Sequence, residues 1–437
     1  MFPVSLSRDR LVGLRALVTM KVWLGGIPAY NNMFRKEVFW VAKLFVGIDI
    51  SKEYSTAQGL DISAKKLFYV RFTMDAKGFN ELLNAIKKVS ADISDVAVAM
   101  ESTGCYHINL FSFICSEGIR CVVINPLLIA NFSRLSLRKT KTDKKDALTI
   151  AQFLVANEKS LRTMAYSQDT QDLRDLARER ESLTWLISGM KNDIKRLLQN
   201  TFPELETLCK PYSETMLHFL RSFPSARLIR EAKTKDIEKA LICPDEKRKR
   251  VLVTAQEIIS AAKGSVASAG VAKELILSEK VSTVLYLLEK SEKITKALIE
   301  SCESLRIEDL DIIRSIDGVD DITGSTFLAE LGDFSNFGSY KHVIAFAGLD
   351  PSINQSGQYE GISRISKRGN RHLRRIIFMM TMCSVRSNNV FREYFLRRKQ
   401  EGLPPMKALL ATAHKLIRVM FSMLSNRTFF KKEVAGV

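Results

Sequence analysis

Four carboxylates and one serine are the residues of this chain whose types and spacing could do chemistry. Asp49 lies near the end of an otherwise apolar run from Leu44 to Ile50. An acid there is costly to bury unless it is paired or bound to a cation. Glu101 stands in the same kind of place, directly after the apolar run Val96 to Met100 and before Ser102, Thr103 and Gly104. The segment from Lys141 to Ala147 adds Asp143 and Asp146, three residues apart and so on one face of a helix. Four carboxylates converging from two strands and a helix repel one another without divalent metal. Two Mg²⁺ ions among them would activate a nucleophile and stabilise a leaving oxygen in phosphodiester cleavage. Each acid alone has a plainer role, Asp143 as a helix N-cap and Asp146 as a first-turn acid, so the joint placement carries the reading.

The serine is Ser356, beside Gly357 and ahead of a basic run in which Lys367, Arg368, Asn370, Arg371, Arg374 and Arg375 are the candidate nucleic-acid contacts. Glycines let a backbone approach DNA closely, and the cations that follow can clamp phosphates. A hydroxyl is a weak nucleophile that needs activation, which an acidic metal site delivered nearby would supply. Chemistry alone does not choose Ser356 over Ser352, Ser363 or Ser366, and a turn serine bonded to its own backbone is the plainer reading. His372 reads as a phosphate contact or surface histidine, and Tyr359 as packing or a DNA contact.

The elements that must position these groups follow from pattern. The run at 44–50 reads as a buried strand, with further strands over Ser55–Leu60 and Leu67–Phe72, an amphipathic helix over Ala76–Val89, a strand over Val96–Met100, a helix over Tyr106–Glu117 and a strand over Arg120–Ile124. Three strands in succession and then strand-helix alternation describe a mixed sheet with helices on its faces, the order of the ribonuclease H-like architecture. From Gln168 to Asn200, apolar residues step by three and four with Arg180 filling one gap, a coiled-coil-grade heptad, and a second helical stretch covers about 272–301. Together they predict an antiparallel helical arm with a basic, less regular tip over Thr201–Gly264; an ordinary helical bundle within one domain satisfies the pattern equally. Near Gly318, an apolar, glycine, apolar turn before a helix has the form of a helix-hairpin-helix element.

Totals set the context. The chain has 437 residues, 46% of them hydrophobic, enough for two or three domains with real cores. Lys and Arg outnumber Asp and Glu by 66 to 48, a formal charge of +18. From Gly361 to Val437 there are 17 Lys or Arg against three acids, so the excess belongs mainly to one region. A polyanion selects for such a patch because each neutralised phosphate releases counterions. Seven cysteines without a CxxC pair fit neither a disulfide framework nor structural zinc, and a reducing cytoplasm is the expected home. Arg8, Arg10, Arg15 and Lys21 interrupt any apolar span near the N-terminus, which is expected to lie outside the folded domain, with Met33 as the alternative start. No membrane association is expected.

The segments Gly47–Lys52, Met100–Gly104, Lys141–Asp146 and the serine-containing stretch from Phe346 to Arg375 resemble the DEDD transposases of the insertion-sequence 110 family, relatives of the Piv DNA invertase. The resemblance covers most of 44–380. It implies a RuvC-like N-terminal domain over 43–165 after an extension over 1–42, a helical coiled-coil arm over 166–305, and a mainly α-helical C-terminal transposase domain over 306–437. It further implies that Asp49, Glu101, Asp143 and Asp146 bind metal, about two Mg²⁺ per site, and that Ser356 attacks DNA to form a covalent intermediate. Partners implied are the DNA of the element ends and target, an element-encoded non-coding RNA, and further copies of the chain in a dimer or tetramer. The turn Gly318–Val319–Asp320 departs from the family pattern, which commonly has a second glycine there. The main alternative is a RuvC-like endonuclease using water as nucleophile. An actin-like sugar kinase leaves the basic tail unexplained, and a decayed binding protein does not account for four intact acids.

Overall fold

A computed structural model of the chain describes residues 42–101, 106–124, 126–133, 143–158, 167–242, 253–268, 270–352, 355–356, 359–360, 364–387 and 390–431. The N-terminal extension, the segment 102–105 and the two residues before Asp143 lie outside the described residues. The chain divides after Tyr166 into two compact units.

The first unit is a five-stranded sheet with helices on both faces. Its strands are β1 (Leu44–Asp49), β2 (Tyr54–Leu60), β3 (Lys66–Thr73), β4 (Val96–Glu101) and β5 (Arg120–Ile124), in the order β3-β2-β1-β4-β5. Short links let β1, β2 and β3 pair antiparallel, whereas β4 and β5 join parallel to β1 and need helical crossovers. The helices are α1 (Ala76–Val89), α2 (His107–Ser116), α3 (Pro126–Ser133) and α4 (Asp143–Asn157). Asp75 starts α1 by accepting from the Gly78 N–H at 2.8 Å. Alternation along the strands feeds two cores. Leu44, Val46 and Ile48 join Val96, Val98 and Met100 under α1 and α2, while Phe45, Ala97 and Ala99 face Ile150 and Leu154 of α4. The three successive strands and the alternation after them are as the pattern predicted.

The second unit is built on two long helices, α5 (Gln168–Thr201) and the helix over Val271–Arg314. They run antiparallel: Arg180 donates to Thr295, Lys280 to Asp193 and Lys273 to Asn200. The 34 residues of α5 extend about 50 Å at the usual rise per residue. The segment expected to be a less regular tip is instead helical. Among the described residues it forms α6 (Leu205–Leu208), α7 (Glu214–Ser222), α8 (Ala226–Glu231), α9 (Thr234–Ala240) and α10 (Ala255–Lys263), so the Val271–Arg314 helix is α11. These short helices pack Phe202, Met216, Leu217, Phe219, Leu220 and Ile258 against Ile194 and Leu198 of α5 and Leu277 and Val281 of α11. Sequence periodicity misses them because helices of four to nine residues hold too few turns to repeat. Glu274, buried there, accepts from Ser225 and from Arg227 at 2.6 Å, and the Arg227 bond holds its carboxyl below the ordinary range despite burial.

A second core surrounds the other end of the long pair, where Leu173, Ala177, Leu298 and Cys302 meet the C-terminal helices α12 (Asp321–Leu331), α13 (Tyr340–Phe346), α14 (Arg371–Arg386), α15 (Val390–Gln400) and α16 (Pro405–Asn426). Helix α11 is kinked at Arg306 (φ −147°, ψ 40°) and continues to Arg314. There Arg306 donates to the carbonyls of Leu328 and Gly332 at 2.9 and 2.8 Å, closing the C-terminus of α12. Among the described residues, α16 is the one helix long and apolar enough to cross a membrane, and half of its apolar window is buried, Ala413, Leu416, Ile417 and Met420 lying in this core.

Candidate active site and nucleic-acid interface

The acids of the first unit are placed by strand register. Ile48 and Met100 are side by side on the parallel strands β1 and β4, so Asp49 and Glu101 follow at one level as the last residues of their strands. Both are partly exposed. Alternation with Ile48 and Met100 assigns them to the sheet face that α4 covers.

Helix α4 runs antiparallel to those strands. Beyond its C-terminus, Glu158 accepts from the backbone N–H of Ala42, ahead of β1, at 2.9 Å, and pairs with Arg120 at the start of β5 at 2.9 Å. Midway, α4 passes so close to Gly47 that a Cβ there would lie 2.2 Å from Ala151 N and 2.5 Å from Ala147 O. Glycine at 47 is therefore what lets the helix seat. Strand residues rise about 3.3 Å and helix residues about 1.5 Å, so the step from Gly47 to Asp49 corresponds to about four residues of α4. That carries the level of Asp49 and Glu101 back to the first turn, which holds Asp143 and Asp146. All four sequence-predicted acids thus stand at one edge of the sheet. The side chain of Asp143 lies outside the described residues, and among the described residues no three His, Cys, Asp or Glu side chains form a group able to hold an ion. Carboxylates are the oxygen donors that a hard divalent cation takes, so the residue types at this edge fit such an ion.

The serine of the second unit sits on a narrow ribbon. Pro351 and Ser352 (β6) pair with Arg364 and Ile365 (β9), and within them Gln355 and Ser356 (β7) pair with Tyr359 and Glu360 (β8). Ser356 pairs with Tyr359, the pair that borders residues 357–358. The base of the ribbon is closed tightly. Ser366 donates its N–H to Asp350 O at 2.8 Å and its hydroxyl to the Asp350 carboxylate at 2.5 Å. This engages one of the rival serines. Gly348 has φ +64°, and a Cβ on Gly369 would lie 2.4 Å from Phe346 O and 2.8 Å from Gly348 N, so two backbones meet where only glycines fit.

The basic run divides into two groups. Lys367, Arg368 and Arg371 are exposed. The other three candidates brace the loop. Asn370 caps α14 by accepting from the N–H groups of His372 and Leu373, and donates to the Glu330 carboxylate at 2.7 Å. Glu330, fully buried on α12, receives a bidentate pair from Arg178 of α5 at 2.9 and 3.1 Å. Arg374 donates to Ala347 O at 2.8 Å, and Arg375 pairs with Glu181 of α5 at 2.9 Å while lying 5.2 Å over the Trp185 ring. His372 also meets Glu181, Nδ1 to Oε2, at 2.6 Å. Burial raises the Glu181 pKa, but the His372 bond and the Arg375 charge outweigh it and leave the carboxyl below the usual range. Sequence reading missed Arg178, Glu181 and Glu330; the signal for the first two was that charged residues recur beside the apolar positions of α5, a pattern shared by any solvated helix face, and Glu330 was a lone acid among the apolar residues of α12.

The turn after α11 has Gly318 at φ +91°, where a Cβ would lie 2.8 Å from the Cys383 backbone of α14. Its glycine is thereby accounted for by close packing. Asp320 then caps α12 through a reciprocal capping box with Thr323.

Two transposase family models match this chain. One, described as a DEDD transposase of the IS110 type, matches residues 46–203, and the other, described as a transposase of the IS116/IS110/IS902 family, matches residues 310–396. The chain belongs to the IS110 family of transposases. The first match spans β1 to the end of α5, and the second contains the serine ribbon and the basic run. Among relatives, a 43.6 kDa protein of insertion element IS110 from Streptomyces coelicolor is 23% identical over 90% of this chain and 97% of its own length. The pilin gene-inverting protein of Moraxella lacunata is 24% identical over 90% and 99%, and the transposase for insertion sequence element IS1111A from Coxiella burnetii is 23% identical over 88% and 91%. This IS110-family chain is thus an enzyme of DNA recombination, and DNA is its partner.

Proposed function

We propose that this transposase mobilises an insertion sequence by cleaving and rejoining DNA strands, with the acidic edge of the first unit and Ser356 of the second serving one reaction. The observation that carries the reading is the common level of Asp49, Glu101 and the acid-bearing first turn of α4 at one sheet edge. The strand order supports a ribonuclease H-like, RuvC-like domain, and the paired helices α5 and α11 support a coiled-coil arm. Asp49, Glu101, Asp143 and Asp146 would hold two Mg²⁺ ions, which when bound supply charge stabilisation to the phosphate and the leaving oxygen.

The chain's own part is a transesterification. The Ser356 hydroxyl oxygen attacks a backbone phosphorus, forming a serine–phosphate bond and breaking the bond to the departing sugar oxygen. The serine proton is given up and the departing oxygen takes one, so charge and atoms balance. Rejoining reverses this: a sugar hydroxyl attacks the same phosphorus and releases serine. Lys367, Arg368 and Arg371 contact phosphates directly, while Asn370, Arg374 and Arg375 hold the loop that presents them. An element-encoded RNA guides the choice of DNA, the active form is a dimer or tetramer, and the reaction takes place in the cytoplasm.

The test is strand exchange on supercoiled plasmids carrying the element ends, with Mg²⁺ and the flanking RNA co-expressed. Wild type recombines and forms protein–DNA adducts, and Asp49→Ala and Ser356→Ala do neither. Full cleavage by Ser356→Ala makes the protein a water-using nuclease instead.

A further inference from the structure

The register of the first unit carries the level of the acids across the sheet to its edge strand. Asp49 of β1 pairs with Thr56 of β2, and Thr56 pairs with Arg71 of β3. Glu101, Asp49, Thr56 and Arg71 therefore stand in one row, with the Arg71 backbone two strand spacings, about 10 Å, from that of Asp49. Alternation also puts Arg71 on the face of the acids. Phe68, Val70 and Phe72 turn to the core under α1 and α2, so Leu67, Tyr69 and Arg71 turn to the face that α4 covers. Helix α4 packs on β1, β2 and β4, and all three of these β3 residues are exposed. Arg71 is thus a cation at the edge-strand end of a row that also holds two of the acids.

The guanidinium is also aimed. It lies 4.6 Å over the ring of Tyr54, the first residue of β2, which stands two residues beyond Thr56 toward the end of the sheet where β1 and β4 finish. A tyrosine face fixes the direction of a cation without neutralising it. The groove that Arg71 and Tyr54 line also contains Asp75, Lys77 and Glu81. The Asp75 carboxylate accepts from the Thr73 hydroxyl at 2.7 Å and the Gly78 N–H at 2.8 Å, and among the described residues no ion pair joins Arg71 to Asp75 or Glu81. An acid-lined edge repels the phosphates on either side of the one it works on, so a strand lying there gains from a cation beside the acids. Arginine suits the place, because its planar fork takes two phosphate oxygens at once. We infer that Arg71, directed by Tyr54, grips a backbone phosphate of the DNA strand that reaches Asp49 and Glu101 and so sets the strand's register on the acidic edge. With about 3.4 Å of duplex axis per nucleotide, the 10 Å between Arg71 and Asp49 places that phosphate within about three nucleotides of the cut. The inference rests on the reading of this edge as the cleavage site. The contact is with backbone, so it positions DNA without selecting sequence.

The test uses the full-length protein purified with the co-expressed flanking RNA, in Mg²⁺, on element-end duplexes in which a single phosphate near the cleavage point is replaced by a neutral methylphosphonate, each position in turn. In wild type, one such position beside the cleaved phosphate is expected to slow cleavage about 10-fold or more, the scale of one hydrogen-bonded charge contact. Arg71→Gln is expected to slow cleavage of unmodified DNA by the same factor and to lose nothing further at that position, while the other positions slow both proteins alike. Arg71→Lys, which keeps the charge and loses the fork, should recover part of the rate. A folding defect slows every duplex equally and so does not produce this pattern. Arg71→Gln cleaving at the wild-type rate, effects that add at every position, or coupling only to a phosphate more than about three nucleotides from the cut overturns the inference. If Asp49→Ala cleaves as wild type does, the acidic-edge reading fails, and the coupling of Arg71 to a phosphate is still read on its own.

Discussion

The acidic edge of the first unit and the serine ribbon of the second, the two regions of the proposed reaction, are held in different ways. In the first unit, backbone geometry suffices: two strands in parallel register end in Asp49 and Glu101, and a helix seated on Gly47 brings Asp143 and Asp146 to their level. In the second unit, the ribbon with Ser356 is short, and side chains from distant segments fix its base. Glu330, Arg178, Asn370 and Arg374 tie α5, α12 and α14 to the segment on either side of the ribbon. A metal-type site tolerates carboxylates at element ends because the ion completes the geometry. A nucleophile must be aimed by the protein alone, and it takes a buried polar network to do so.

The sharpest break of that contrast is in the chemistry. Asp49→Ala or Glu101→Ala is expected to lower strand exchange by about 100-fold to 1,000-fold or more, the scale of removing a group that stabilises transition-state charge, with little change in melting temperature. Comparing rate with melting temperature separates a functional acid from a structural one. Arg178→Ala is expected to do the opposite and to destabilise the second unit by about 3 kcal/mol, because it leaves the Glu330 carboxylate buried with Asn370 as its remaining partner. Chemical denaturation measures this, and Arg178→Ala combined with Glu330→Leu should recover much of the loss.

Gly47→Ala places a methyl into the backbone of α4 and is expected to cost about 1–3 kcal/mol, with activity falling as the acid-bearing turn is pushed off the sheet. Thermal melting and strand exchange on one sample check both halves. Asn370→Ala removes the α14 cap and is expected to cost about 1 kcal/mol, seen as a lower denaturation midpoint. The smallest effect concerns pH. The folded Glu181 carboxyl lies below its ordinary value, so its contribution is complete above the usual glutamate range and is lost as pH falls through the lowered value. Wild type should therefore lose stability on acidification more steeply than Glu181→Gln.

The same contrast governs what the sequence made legible. The sheet could be read because each strand is an apolar run broken by one chemically odd residue, and the acids stood out against that background. Asp146 was legible through its spacing from Asp143, and the long helices through steps of three and four. The five short helices after Thr201 were not, since their burial comes from packing on α5 and α11 and not from a repeat of their own. Nor did sequence separate the exposed Lys367, Arg368 and Arg371 from Asn370, Arg374 and Arg375. All six stand in one basic run, and what distinguishes them is contact with Glu330, Ala347 and Glu181, residues 27 or more positions away. At Gly318 the pattern had the form of a helix-hairpin-helix turn, and the structure adds a reason for its glycine that sequence does not carry, a positive φ beside the Cys383 backbone.

We propose one reaction served by the acids of the first unit and the serine of the second. It is tested most directly by trapping the protein–DNA adduct, digesting protein and DNA, and locating the nucleotide remnant by mass spectrometry. The account predicts a remnant on the peptide containing Ser356 in wild type and none in Asp49→Ala. Cleaved DNA ends accumulating with no modified peptide, or a remnant on Tyr359 or another residue, would contradict it.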